Sequence, residues 1–187
     1  MTRLLWKLYW KLSGWKIQGS FPTEIKQGII VVGPHTSAWD VVIGMAVRAV
    51  VPIREAHFLG KKELFSGPMG WFFKWTGGVP VDRSGQLHMV DQVADLFKTR
   101  PDFILAMSPE GTRKKVDRIR TGFYYIAKKA HVPLILAGLD FASKTLIFSD
   151  PFYPSENEAA DFAKIISFFS RIRGKYPELG MKHLGEG

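Results

Sequence analysis

A histidine and an aspartate five positions apart form the pair of residues best suited to chemistry in this chain. His35 and Asp40 follow the apolar run 28–33, which is typical of a buried strand. The polar residues around them predict a turn that leads into a helix. A neutral imidazole held by a carboxylate at such a corner can take the proton from a hydroxyl group. The pair therefore favours a transferase or a hydrolase, with His35 and Asp40 as catalytic residues.

The same stretch also allows a purely structural interpretation. Ser37 and Asp40 match a capping box, in which the serine caps the helix and the carboxylate reaches back from the third helical position. The two interpretations are partly compatible, because the helix dipole favours a carboxylate in the first turn. From that position Asp40 could also hold the ring of His35. The motif by itself leaves both interpretations open.

Two further predicted strands end near an arginine. Arg83 follows the strand predicted at 78–82, and Arg113 follows the strand predicted at 102–107. Ligands of open α/β sheets bind outside the carboxyl ends of the strands, so both guanidinium groups could reach one site. For Arg83, an ordinary surface turn formed with Asp82 is the alternative.

The turn that contains Gly111 is rich in charged residues. Glycine suits the turn itself, but neither Glu110 nor Arg113 is needed for it. Four more cations follow within seven positions, at Lys114, Lys115, Arg118 and Arg120. A solvated basic loop is the common explanation of such a run. With the two arginines it would also make a phosphate clamp, because guanidinium groups bind phosphate through paired hydrogen bonds.

The overall charge predicts an anionic partner. Among 187 residues there are 26 Lys and Arg against 17 Asp and Glu, which gives a net charge of +9. Nucleic acid, a phospholipid surface and a phosphorylated small molecule would all fit this charge. No helix-turn-helix or RNP-like sequence supports nucleic-acid binding, and we expect none.

Several absent motifs exclude classes of mechanism. The chain has no cysteine, which excludes a thiol nucleophile, a disulfide framework and a thiolate metal site. The histidines show no H-x-x-x-H spacing, so we predict no metal. There is no G-x-S-x-G, Walker A or G-x-G-x-x-G sequence, which argues against an α/β serine hydrolase and against nucleotide binding by those routes.

Residues 1–20 are predicted to form an amphipathic segment at a membrane interface. Arg3, Lys7 and Lys11 recur at helical spacing, and leucines and tryptophans cover most of the remaining surface. A terminal helix packed on the domain, with its cations in water, is the alternative. No apolar run reaches the ~18 residues of a spanning helix, and the N-terminus does not resemble a signal peptide. We therefore expect a cytoplasmic protein, attached peripherally to the anionic inner face of the cell membrane.

The rest of the chain, residues 21–187, alternates between predicted strands and helices. Strands are predicted at 28–33, 56–59, 78–82, 102–107, 133–138 and 145–148. Helices are predicted at 38–50, 69–75, 87–98, 121–130 and 158–173. Such alternation indicates a single α/β domain with a largely parallel central sheet flanked by helices. No signal for an oligomeric state is present.

Taken in order, these motifs resemble the lysophospholipid and glycerol-phosphate acyltransferase superfamily, which includes the 1-acylglycerol-3-phosphate acyltransferases. The first block of that superfamily, His-x4-Asp, is similar to 35–40, and its second, a strand end that runs from a glycine to Asp-Arg, is similar to 78–83. The third, Pro-Glu-Gly-Thr-Arg, stands unaltered at 109–113, and Val132-Pro133 resembles the fourth. The resemblance spans about residues 28 to 140.

This resemblance implies a glycerol-phosphate acyltransferase-like fold and an O-acyltransferase with no cofactor. The donor would be an acyl thioester on coenzyme A or acyl carrier protein, and the acceptor the hydroxyl of a lysophospholipid. His35 would be the general base, and Asp40 would fix its tautomer. The residues implied in binding the glycerol and phosphate of the acceptor are Arg83, Glu110, Gly111, Thr112 and Arg113, with Lys114 and Arg120 as further candidates for the phosphate.

Two points stay open at the level of sequence. The acyl chain is predicted to bind among aromatic residues that could equally belong to the core; they are Trp39, Phe65, Trp71, Phe72 and Trp75. A catalytically idle member of the same fold, which binds lipid or organises a membrane complex, is the alternative to an enzyme.

Overall fold

A seven-stranded sheet forms the centre of the computed structural model, which describes residues 2–53, 56–82 and 86–186. The strands are β1 (Lys16–Gln18), β2 (Gln27–Gly33), β3 (Ala56–Lys61), β4 (Gly78–Val81), β5 (Phe103–Met107), β6 (Leu134–Asp140) and β7 (Thr145–Phe148). The helices are α1 (Thr2–Ser13), α2 (Trp39–Val50), α3 (Lys62–Ser66), α4 (Gly70–Trp75), α5 (Gln86–Thr99), α6 (Gly122–Ala130) and α7 (Glu158–Ser170). Two 3-10 helices, Pro177–Leu179 and Lys182–Gly185, follow α7.

The sheet is largely parallel and has the strand order β1-β7-β6-β2-β5-β3-β4. The five strands from β6 to β4 run parallel to one another, whereas β7 is antiparallel to β6. Strand β1 adds to the edge of the sheet, parallel to β7. The single α/β domain with a mostly parallel sheet that the sequence predicts is confirmed.

Strand β2 is covered on both of its faces. Ile29 and Val31 pack into a core cluster that includes α5, α6 and α7, while Ile30 packs into a second cluster that includes α2. A parallel strand between two layers of helices is apolar at every position rather than at alternate ones. This explains the unbroken apolar run in the sequence, and it gives His35, two residues beyond the strand, a rigid support.

Helix α1 packs against α2 through its aromatic side chains. Trp6, Tyr9 and Trp10 are half-buried, and the guanidinium Nε of Arg3 donates to the carbonyl oxygen of Ala49 at 3.3 Å. The opposite side of the helix exposes four leucines to between 51% and 76%: Leu4, Leu5, Leu8 and Leu12. The sequence predicts that tryptophans face the membrane, but the structure turns both tryptophans of this helix toward the domain and leaves leucines outside.

The last residues of the predicted membrane segment belong to the sheet. Lys16–Gln18 form β1, and Trp15 beside it is buried, with its ring 5.1 Å from that of Phe141. The boundary expected at residue 20 therefore falls inside the folded unit. None of the helices within the described ranges is long and apolar enough to cross a bilayer.

The predicted elements correspond to β2–β7 and to α2, α4, α5, α6 and α7, with ends displaced by at most three residues. The sequence analysis missed β1 and α3. Three exposed residues and a helix of five residues are too short to show a hydrophobic period.

Candidate active site

The carboxyl ends of parallel strands bring the candidate catalytic residues to one edge of the sheet. Strands β2 and β5 are parallel neighbours, so the chain leaves both at the same edge, called here the carboxyl edge. Beyond β2 lies His35, and beyond β5 lies Glu110. Two residues 75 positions apart in sequence thus become neighbours, with the backbone N–H of His35 donating to Oε2 of Glu110 at 2.6 Å.

His35 and Asp40 are in direct contact. Nδ1 of His35 lies 2.9 Å from Oδ2 of Asp40, with the His35 side chain 30% exposed and the Asp40 side chain 4% exposed. A carboxylate at this distance accepts a hydrogen from Nδ1, which fixes the neutral ring as the tautomer with a free lone pair on Nε2. A buried carboxylate and a partly exposed imidazole are thus arranged as a general base requires.

Asp40 also stabilises the start of α2. The backbone N–H of Ser37 donates to Oδ2 of Asp40 at 2.9 Å, and the backbone N–H of Trp39 donates to Oγ of Ser37 at 3.2 Å. One carboxylate oxygen therefore orients His35 and also reaches back to Ser37, but α2 begins at Trp39 with Ala38 as its N-cap, one residue later than the capping box predicts. The other oxygen, Oδ1, is buried and has no hydrogen-bond partner among the described residues.

Glu110 is fully buried and holds the main chain at His35. In addition to the bond from His35, its Oε2 accepts from Oγ of Ser108 at 3.2 Å, while its Oε1 is buried with no partner among the described residues. Burial raises the pKa of the Glu110 carboxyl above its usual range, and the hydrogen bonds from His35 and Ser108 act in the opposite direction. The resemblance implies that Glu110 binds the acceptor; in the structure its carboxyl has no exposed surface and contacts the backbone of His35.

The loop between β5 and α6 forms the exposed cationic side of the site. Gly111 has a φ of +64°, and a Cβ there would lie 3.3 Å from Cγ of Arg120, so this turn requires glycine. The backbone N–H of Arg120 donates to the carbonyl oxygen of Pro109 at 2.6 Å, which folds the far end of the loop back onto the turn. Arg113, Lys114 and Arg120 are exposed, and Thr112 is half-buried.

His183, which the sequence analysis does not single out, supports this loop. Its Nε2 lies 2.9 Å from the carbonyl oxygen of Val116 and donates a hydrogen to it. A contact between positions 67 residues apart leaves no trace in a local sequence pattern. Arg83, the candidate that follows β4, lies outside the described residues.

Most of the aromatic residues predicted to line an acyl pocket are exposed to solvent. Trp71, Phe72 and Trp75 are exposed on α4, to 71%, 37% and 64%. Phe65 packs against the backbone at the start of β4 and against the ring of Phe73, at 6.1 Å between centroids. Trp39, which is 50% exposed, stands at the first turn of α2. The structure therefore does not bring these five residues together into one enclosed pocket.

The C-terminal segment packs against the residue that follows His35. Thr36 is buried, and its Oγ1 accepts from the backbone N–H of Tyr176 at 3.2 Å. Gly174 lies so close that a Cβ there would be 2.7 Å from the same oxygen. The segment after α7 thus forms part of the wall around the candidate site, a role that its sequence does not reveal.

Comparison with known proteins gives three findings. A family model described as Acyltransferase matches residues 15–138. A solved structure of similar fold is the 1-acyl-sn-glycerophosphate (LPA) acyltransferase PlsC from Thermotoga maritima, with a TM-score of 0.59 and 21% sequence identity. The match covers 88% of this chain and 76% of that one. No curated protein sequence matches the chain.

Proposed function

This chain belongs to the acyltransferase family, and from that premise we propose that it moves a fatty acyl group from an acyl thioester to the hydroxyl of a lysophospholipid such as 1-acylglycerol 3-phosphate. The observation that carries the proposal is the 2.9 Å contact between Nδ1 of His35 and Oδ2 of Asp40 at the carboxyl edge. The structural neighbour from Thermotoga maritima is an acyltransferase of 1-acyl-sn-glycerophosphate, which supports the choice of acceptor.

The proposed mechanism needs one base and no covalent acyl-enzyme. Nε2 of His35 takes the proton of the acceptor hydroxyl while its oxygen attacks the thioester carbonyl. The tetrahedral intermediate collapses as the C–S bond breaks, and the departing sulfur receives the proton from the imidazolium. Asp40 stabilises that imidazolium through Oδ2. A thioester is already an activated acyl group, so direct transfer is sufficient.

We assign the acceptor phosphate to the cationic loop after β5. Arg113, Lys114 and Arg120 are exposed there, close in the chain to the Glu110 carboxyl that contacts His35. Guanidinium groups suit phosphate because they can donate two parallel hydrogen bonds. Gly111 and Thr112 would shape the turn that presents these cations.

The exposed apolar surface supports peripheral attachment to a membrane. Of fifteen large apolar or aromatic side chains that the described residues expose, eleven lie on α1, α2 or the segment from α3 to α4. Right-handed crossovers place α2 and the α3–α4 segment on the same face of the sheet, and α1 packs on α2. The leucines of α1, flanked by exposed Lys7 and Lys11, fit the interface of an anionic bilayer. We place the protein at the inner face of the cell membrane, and a chain without cysteine is compatible with the reducing cytosol there.

Acceptor-dependent release of thiol tests this function. Palmitoyl-coenzyme A is supplied with and without lysophosphatidate, the free thiol is measured with a colorimetric disulfide reagent, and the acylated lipid is identified by mass spectrometry. The chain has no cysteine, so it contributes no background. Release that requires lysophosphatidate is the expected result. If no thiol is released from either coenzyme A or carrier-protein donors across a panel of lysolipids, the proposal is overturned. The alternative is then a catalytically idle protein that binds lipid.

A further inference from the structure

A second cluster of cations lies beside the candidate site and has no role in the proposed mechanism. An open groove of about 490 Å³ is lined by Lys144, Arg173 and Lys175 and by the aromatic residues Tyr9, Trp15 and Trp39. None of the twelve lining residues is acidic. Among the described residues, none of the three cations forms an ion pair. We call this feature the basic groove.

The topology of the sheet places the basic groove on the opposite side of His35 from the cationic loop. Strand β2 lies between β5 and β6, and all three run parallel. The turn between β6 and β7, which contains Phe141 and Lys144, therefore lies at the same carboxyl edge as His35. One cationic surface follows β5 and the other follows β6, with the candidate base after the strand between them.

Direct contacts connect the basic groove to the catalytic turn. Arg173 and Lys175 flank Gly174, whose position is within van der Waals distance of the Thr36 side chain. Two residues after Gly174, the backbone N–H of Tyr176 donates to Oγ1 of Thr36 at 3.2 Å. On the other wall, Trp39 directly precedes Asp40 in α2. The groove thus adjoins two of the four residues that separate His35 from Asp40, Thr36 and Trp39.

Two of the three cations of the groove are held in place, and all three keep hydrogens free for a ligand. Nζ of Lys144 donates to the carbonyl oxygen of Ser13 at 3.0 Å, and Nζ of Lys175 lies 5.9 Å from the centre of the Phe141 ring. Each ammonium has three hydrogens, and the guanidinium of Arg173 has five. Cations beside aromatic walls suit a ligand that combines phosphate with an organic body.

We propose that the basic groove binds the phosphate-bearing arm of the acyl donor, while the cationic loop after β5 binds the acceptor phosphate. This inference rests on the proposed acyl transfer, which needs two substrates that meet at Nε2 of His35. Coenzyme A and acyl carrier protein both present the acyl thioester on a phosphopantetheine arm, so the recognised chemistry is the phosphate of that arm. Two cationic surfaces on either side of one base would bring the thioester and the hydroxyl together.

Reversal of two charges in the groove tests this assignment. The double variant Arg173→Glu/Lys175→Glu is compared with Lys26→Glu/Arg171→Glu, which makes the same change in net charge at exposed cations that do not line the groove. Acceptor is supplied at a low fraction in micelles of neutral detergent, so that attraction to an anionic lipid surface is kept to a minimum. In the groove variant we expect the KM for palmitoyl-coenzyme A to rise at least about tenfold, since charge-assisted hydrogen bonds are lost. The KM for lysophosphatidate should change less than about twofold.

Truncated donors identify the part of the donor that is recognised. The wild type and the control should use palmitoyl-phosphopantetheine more efficiently, by kcat/KM, than palmitoyl-pantetheine, which lacks the phosphate. The groove variant should lose this preference. A preference that survives charge reversal, or a rise in the KM for lysophosphatidate instead of the donor, would overturn the assignment while leaving acyl transfer intact.

Direct binding separates this inference from the proposed function. Coenzyme A is titrated into the full chain by calorimetry, without acceptor and without turnover. The wild type and the Lys26→Glu/Arg171→Glu control should bind it, and the groove variant should bind it at least about tenfold more weakly. Equal affinity in the two variants, or no binding to the wild type, would overturn the assignment. Binding without any transferase activity would support the groove and contradict the proposed function alone.

Discussion

At the scale of single residues, one oxygen atom links the architecture of the site to its chemistry. Oδ2 of Asp40 contacts both Nδ1 of His35 and the backbone N–H of Ser37, each at 2.9 Å. The same carboxylate therefore holds the turn before α2 and orients the ring. Because the spacing is local, the sequence alone predicted that these side chains could meet. The bond from His35 to Glu110 was not predictable, since it depends on the pairing of β2 with β5.

Replacement of Asp40 by asparagine separates its two roles. With its amide oxygen in the place of Oδ2, Asp40→Asn can still accept from the N–H of Ser37 and from Nδ1 of His35, but the amide has no charge to stabilise the imidazolium. We expect kcat to fall at least about 10²-fold, with a loss of unfolding free energy within about 1 kcal/mol. Steady-state kinetics and urea unfolding measure the two effects. An active but strongly destabilised variant would show that Asp40 serves only to hold the turn before α2.

Glu110 is expected to position His35 rather than to contact the acceptor. Glu110→Ala leaves the buried N–H of His35 unpaired, which costs about 1–3 kcal/mol of stability and should lower kcat without raising the KM for the acceptor. Glu110→Gln keeps an oxygen for that N–H and should retain most of kcat. If either variant raised the acceptor KM while kcat stayed unchanged, Glu110 would be a binding residue instead.

The buried carboxyl of Glu110 also predicts a dependence of stability on pH. Its pKa is raised in the folded state by burial. The stability of the wild type relative to Glu110→Gln should therefore be highest below the unfolded-state value of about 4.3 and should fall as the pH rises through the folded-state pKa. Urea unfolding of both proteins across this range measures the difference. A relative stability that increases with pH would contradict the assigned direction.

At the scale of secondary-structure elements, the hydrophobic pattern predicted what is buried in the sheet better than what is exposed on the helices. Long apolar runs such as β2 gave clear signals, because strands covered on both faces have no polar positions. In α1, leucines and aromatic residues are both apolar, so the pattern could not show which side packs on α2. The basic groove could not be predicted either, since Lys144, Arg173 and Lys175 come from the β6–β7 hairpin and from the segment after α7.

The exposed leucines of α1 predict a loss of membrane binding on substitution. Leu12 is 76% exposed, so Leu12→Glu should leave the fold intact while it places a carboxylate where an apolar side chain would enter lipid. We expect partition onto anionic vesicles to weaken at least about tenfold. Tyr153→Glu, at a site that is 64% exposed and away from α1, is the matched control. Equal sedimentation of both variants with vesicles would remove α1 from the membrane-binding surface.

At the scale of the whole molecule, a net charge of +9 and a one-sided apolar surface act together. Charge attracts the protein to an anionic surface from a distance and is screened by salt. Burial of leucine in lipid is not screened in this way. The two contributions can therefore be separated by ionic strength.

We predict that binding to anionic vesicles weakens between about 0.1 M and 0.5 M NaCl but does not vanish, because the leucines of α1 remain in the interface. Binding to nucleic acid, if it depends on charge alone, should disappear over the same range. Co-sedimentation with vesicles and a filter-binding assay measure the two. Complete loss of vesicle binding at high salt would show that attraction is only electrostatic.

The most direct test of the central claim compares the acceptor-dependent turnover of His35→Ala with that of a control variant, His88→Ala. The alanine at position 35 keeps the backbone N–H that Glu110 accepts, so the variant should fold, and His88 is an exposed histidine on α5 that serves as the control. Thiol release from palmitoyl-coenzyme A in the presence of lysophosphatidate should fall at least about 10²-fold in His35→Ala, equivalent to about 3 kcal/mol of barrier. His88→Ala should match the wild type. Near-normal turnover in folded His35→Ala would contradict His35 as the general base.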